Sequence, residues 1–152
     1  MTQSTSCPFQ KRYPGPYAYQ PGTDGVDKTF DIFCRTTGER IISSNYWYEE
    51  ENANIIASVV MLALEFSRRS NFQTPCDRVL QNRLKTFRAN YPGPYVLKAC
   101  SHDEDFAEVG VACCDLDGLI IGFQTKPGEL EPVEEIRYIV AALNSLFDAR
   151  SI

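Results

Sequence analysis

No stretch of this sequence is apolar over the roughly 20 residues that a membrane-crossing helix needs; the longest near-apolar run, Ile55 to Leu64, is about half that length. The start of the chain is polar and lacks the basic-then-apolar pattern of an export leader, so a cytoplasmic protein is expected, neither secreted nor membrane-bound. Positive charge is also short. Fifteen Lys and Arg face 20 Asp and Glu, and a net charge of -5 argues against a general nucleic-acid binder, whose phosphate contacts demand a broad basic surface. Histidine occurs once, at His102, which removes paired helical histidines, and neither a phosphate-cradling glycine loop nor a serine elbow is present.

What is there suffices for one ordinary core. At 152 residues and 43% apolar composition, the chain reads as a single domain over 1–152, with nothing low-complexity in it. In the reducing compartment expected for an unexported protein, its six cysteines read as free thiols, and no cofactor is implied.

The chain repeats itself. Tyr13-Pro14-Gly15-Pro16-Tyr17 recurs as Tyr91-Pro92-Gly93-Pro94-Tyr95, and the same order follows each copy: a β-rich run, a glycine turn at Gly38 or Gly118, a second run opened by isoleucines, and an acidic lead-in to a helix. The expected units are 13–70 and 91–149, each strand-strand(-strand)-helix. In the first, Phe30, Ile32 and Cys34 alternate with Thr29, Asp31 and Arg35 at the two-residue period of a half-buried strand, and Ile41 and Ile42 begin the return strand. A helix over 49–70 starts at three glutamates, which suit the positive end of a helix dipole. In the second, Tyr95 to Cys100, Glu108 to Cys114 and Leu119 to Gln124 read as strands, and Pro132 opens a helix over 131–149. Aligning Gly38 with Gly118 throws Phe30 and Ile32 out of phase with Val109 and Val111, which implies a bulge in one copy.

Between the units, 77–89 reads as a connector helix with Leu80, Leu84 and Phe87 on its buried side. Around it lies the one electrostatic anomaly: Arg68, Arg69, Arg78, Arg83, Lys85 and Arg88 face the single acid Asp77. Arginine's planar fork grips phosphate through paired hydrogen bonds, so these residues are candidates for binding an anion. Tyr46, Trp47 and Tyr48, three adjacent aromatics after the first hairpin, either seal the sheet against the helix or form a stacking wall for a flat ligand such as a nucleobase.

Pro14-Gly15-Pro16-Tyr17, the Gly38 turn and Asn52-Ala53-Asn54-Ile55-Ile56-Ala57, with Pro92-Gly93-Pro94-Tyr95, Asp117-Gly118 and Ile139 to Asn144 in the second unit, resemble small phage and prophage accessory proteins of the ea22-like sort. The resemblance touches most of the chain from Tyr13 onward. It implies a phage setting and a strand-strand-helix unit, and by association an inhibitor of host defence; it transfers no catalytic or binding residue.

Cys100, His102, Cys113 and Cys114 offer zinc-ligand chemistry, but adjacent cysteines point to opposite faces of a strand, so no metal site is expected. Cys100 and His102 also admit a nucleophile and base, with nothing in the sequence to orient the base, and no catalytic residue is assigned. The expected architecture is α+β: the two units form one antiparallel sheet carrying the 49–70 and 131–149 helices, with the connector helix at the joint. Those two helices are apolar almost all round, which points to a homo-oligomer. The expected function is non-enzymatic sequestration of an anionic, nucleotide-derived molecule through Arg68, Arg69, Arg78, Arg83, Arg88, Tyr46, Trp47 and Tyr48. The alternatives are a protein-binding inhibitor of a host factor and a small Cys/His hydrolase.

Overall fold

The computed structural model describes residues 8–24, 27–46, 50–68, 77–103, 106–113, 119–125 and 133–149. Chain order is α1 (Pro8–Arg12), β1 (Tyr17–Asp24), β2 (Asp27–Cys34), β3 (Arg40–Tyr46), α2 (Glu50–Arg68), α3 (Arg78–Asn90), β4 (Tyr95–Asp103), β5 (Phe106–Cys113), β6 (Ile121–Thr125) and α4 (Val133–Ala149). The class is α+β, as the sequence indicates. Each half therefore runs helix, turn, three antiparallel strands, helix. Two of these elements, α1 and β1, escape the sequence reading.

The strands divide between two three-stranded meanders, β1-β2-β3 and β4-β5-β6, where the sequence reading had one sheet. Each meander is closed by short antiparallel connections, and β3 runs close to β6. The register explains the phase conflict between the halves. Tyr17 pairs with Cys34 and Tyr95 with Cys113, so the two cysteines are equivalent positions. Counting back from them brings Phe30 and Ile32 into phase with Val109 and Val111; Gly38 follows its cysteine by four residues and Gly118 by five, so the additional residue falls between Cys113 and Gly118, outside the described residues. An irregularity is nonetheless present in the first half, where Ile32 pairs with Ile42 and Phe33 with Arg40, leaving Ile41 as the extra residue of a bulge.

The Tyr-Pro-Gly-Pro-Tyr segments build the same turn twice. Gly15 and Gly93 take φ of 81° and 80°, the left-handed region where only glycine is unstrained, and each is followed by a cis proline. The second tyrosine folds back on the first: Tyr17 donates its hydroxyl hydrogen to the carbonyl of Tyr13 at 2.7 Å, and Tyr95 to that of Tyr91 at 2.6 Å. The glycine N–H donates to a buried thiol, Gly15 to Cys34 Sγ at 3.3 Å and Gly93 to Cys113 Sγ at 3.2 Å. Both cysteines are free thiols. Burial pushes the Cys34 thiol up, but hydrogen bonds from the Thr37 backbone and hydroxyl and from the Gly15 and Thr36 backbones outweigh it and hold the group below its ordinary value.

One continuous core joins the halves, running through Ile32, Ile42, Ile56, Val60 and Leu64 to Ile121, Ile136, Ile139, Leu143 and Leu146. The all-round apolar character of α2 and α4 is answered here: they pack on each other, α2 also meets β1, β2 and α3, and α4 also meets β4, β5 and α1. The premise for expecting a homo-oligomer, two helices lacking cover, is thus removed within one chain; among the described residues, the large apolar side chains left well exposed are Val79 and Val96. The leading helices cross over. α1 of the first half packs on α4 of the second, with Phe9 stacked on Tyr138 at 4.0 Å between ring centroids, while α3 packs on α2 of the first half. No helix among the described residues is long and apolar enough to cross a membrane.

Candidate functional site

The connector helix α3 starts where the sequence places it because Asp77 caps it: its carboxylate oxygen accepts the Val79 N–H at 2.9 Å. Leu84 and Phe87 then point into the core and fix the rotation of the helix. That rotation turns Val79, Leu80 and Arg83 toward α2, where Ser58, Met61, Leu62 and Glu65 form one face at the spacing of successive helical turns. Tyr19 of β1 closes the end. Together these residues and Asp77 line an open cleft of about 330 Å³, at the lower end of the roughly 300–1,000 Å³ usual for small-molecule sites.

Arg83 is the electrostatic centre of the cleft. Its Nη1 donates to Ser58 Oγ at 2.8 Å and, at 3.4 Å, to the Tyr19 hydroxyl. Both partners are neutral, and Arg83 has no ion pair among the described residues. Its Nε is buried and has no acceptor among the described residues. An orphaned buried donor costs about 1–3 kcal/mol, and a half-buried cation without a counter-charge adds to that. Ser58 makes the arrangement sterically possible: it is the small polar residue inside the apolar run of α2, and it is itself buried.

The other cations named from the sequence do not join Arg83. Arg68 donates from Nε to Glu65 Oε1 at 2.7 Å and lies over the Tyr17 ring with its carbon 6.0 Å from the centroid. Glu65 is held on its other oxygen by the Tyr17 N–H at 3.1 Å, so the rim pair of Glu65 and Arg68 is electrically closed. Arg88 has its guanidinium carbon 4.8 Å from the centroid of the Phe147 ring, a cation-π contact, and that ring is itself stacked on Phe87. Arg78 and Lys85 are exposed on α3. Arg69, Trp47 and Tyr48 lie outside the described residues, as does the side chain of Tyr46, whose backbone pairs with Lys28 at the end of β3. The basic segment is therefore spread over separate contacts, and among its described residues Arg83 is the one that lines this cleft.

Tyr19, Ser58, Met61, Leu62 and Glu65 line the candidate site, and sequence reasoning missed them. The one signal for them was Ser58, a lone hydroxyl at the centre of an apolar run.

The strand register also bears on Cys100, His102 and Cys113. Cys100 pairs with Glu108, five residues along β5 from Cys113, which separates the positions by roughly 17 Å at 3.4 Å per residue. Cys113 is moreover buried and accepts the Gly93 N–H, so these three cannot close on one metal ion. His102 is the extra residue at an irregularity of the β4-β5 ladder, and its side chain and that of Cys100 lie outside the described residues. Searches with this chain found no matching family model, no matching curated protein and no matching solved structure.

Proposed function

We propose that the chain is a non-enzymatic binding protein that holds a small anionic molecule in the cleft between β1, α2 and α3. Arg83 carries this reading: a guanidinium that donates to two hydroxyls and, among the described residues, has an unsatisfied buried Nε and no carboxylate partner, inside a cavity of ligand size. An entering carboxylate or phosphate supplies the missing counter-charge. The sequence pointed to a nucleotide-derived member of this class in a phage setting, where sequestration of a defence signal requires binding alone; the geometry supports the class through one arginine instead of a cluster. Calorimetric titration against a panel of small carboxylates, inorganic phosphate and nucleotides tests it. One-to-one binding that Arg83→Ala abolishes is the expected result. Absence of binding by the wild-type chain, or equal binding by the variant, would overturn the reading and bring the protein-binding inhibitor forward.

A further inference from the structure

This step rests on the anion-binding reading and narrows the ligand. The charges around the cleft do not favour a multiply charged guest. Arg83 is its single unneutralised cation among the described residues; Glu65 is cancelled by Arg68, and Asp77 places a carboxylate at the rim, where it caps α3. A second or third negative charge on a ligand would meet Asp77 with no further cation among the described lining residues to face it. The remaining wall is aliphatic, from Met61, Leu62 and Leu80, and the described lining offers one aromatic ring, Tyr19. Such a wall rewards burial of methylene groups.

We infer that the cleft takes an amphiphilic monoanion: a carboxylate held by the Arg83 fork with help from the Tyr19 and Ser58 hydroxyls, and an aliphatic body lying on Met61, Leu62 and Leu80. Recognition is then divided between a head group fixed at Arg83 and a tail whose contribution grows with length until the cleft is filled.

The test is a calorimetric titration of the full chain with butanoate, hexanoate and octanoate below their aggregation limits, beside AMP, cyclic AMP and inorganic phosphate. Affinity is expected to rise about fourfold for each added methylene, the equivalent of about 0.8 kcal/mol per group. Binding of octanoate should be one-to-one and at least tenfold weaker in Arg83→Ala. Arg83→Lys keeps the charge and loses the fork, and is expected to fall between wild type and Arg83→Ala; it also serves if the alanine variant misfolds. Tighter, Arg83-dependent binding of AMP, cyclic AMP or phosphate would overturn the monoanion assignment while leaving the anion-binding reading standing. A flat affinity across the chain-length series would likewise overturn it, and no binding of any probe would end both.

Discussion

Asn144 of α4 holds both backbone groups of Tyr95: the Tyr95 N–H donates to Oδ1 at 2.9 Å, and Nδ2 donates to the Tyr95 carbonyl at 3.0 Å. The corresponding place in the first half is taken by Glu65, which accepts the Tyr17 N–H and spends its other oxygen on Arg68. One position thus ties a long helix to the first residue of an edge strand in both halves, by an amide in one and a carboxylate in the other.

Removing the amide is costly because it leaves two partly buried backbone groups without partners. Asn144→Ala is expected to lower the unfolding free energy by about 2–4 kcal/mol, from two hydrogen bonds and the orphaned groups. Glu65→Gln keeps an acceptor for Tyr17 and loses a partly exposed ion pair, so its expected cost stays below about 1 kcal/mol. Urea titration of the two variants measures the contrast, and equal losses would show that the two contacts are not equivalent in the way the hydrogen bonds indicate.

Alkaline pH should destabilise the protein through its turn tyrosines. Burial is the main cause that holds Tyr13, Tyr17 and Tyr95 above the ordinary phenol value. A group whose folded value is raised keeps its proton in the native state while the unfolded chain releases it, so stability is intact below about pH 10 and declines as pH rises beyond it. The slope approaches about 1.4 kcal/mol per pH unit for each such tyrosine. Phenolate absorbance followed together with unfolding should show these tyrosines titrating late and cooperatively; early, independent ionisation of all eight would contradict the buried turns.

The left-handed glycines should not be interchangeable with alanine. At Gly93 an added Cβ would lie 3.2 Å from the Tyr95 ring, and at Gly15 it would lie 2.6 Å from Nε of Arg68. Backbone strain alone costs roughly 1–2 kcal/mol at either site. Gly15→Ala is expected also to displace Arg68 from Glu65, so a double-mutant cycle of Gly15→Ala with Arg68→Ala should show coupling that the same cycle with Gly93→Ala lacks.

The interhelix core sets a larger scale. Ile56 and Leu143 are fully buried on α2 and α4, and replacing either by alanine is expected to cost about 2–5 kcal/mol, read as a fall in the urea midpoint with little change in slope. A cost under 1 kcal/mol at both would show that α2 and α4 do not share the packed face described.

Local pattern made much of this fold legible. The alternation of Phe30, Ile32 and Cys34, the Gly38 turn, the connector helix and the apolar stripes of the two long helices all depend on neighbours within about ten residues, and each corresponds to an observed element, while Gly118 lies outside the described residues. β1 was hidden because Tyr17 to Asp24 contains Pro21 and Gly22, residues that read as turn and are tolerated in an edge strand paired on one side. α1 was hidden by its five-residue length. The division into two sheets and the mutual cover of α2 and α4 depend on contacts across the whole chain, which no local period records. The same limit applied to the site. A run of cations along the sequence suggested a cluster, but helix rotation sent Arg88 to Phe147, Arg68 to Glu65 and Arg83 into the cleft, and the partners that matter, Tyr19 and Ser58, lie 64 and 25 residues away.

The crossing of the leading helices has a consequence for how the molecule comes apart. α1 is the first described segment and α4 the last, and they are packed together; α3 belongs in sequence to the second half and rests on the first. Neither half can melt while the other keeps its full set of contacts, since each contributes a piece of its partner's cover. Heating should therefore produce one transition with matching calorimetric and van't Hoff enthalpies, and a chain cut between α2 and α3 should yield two fragments that fold when mixed and remain largely unstructured apart.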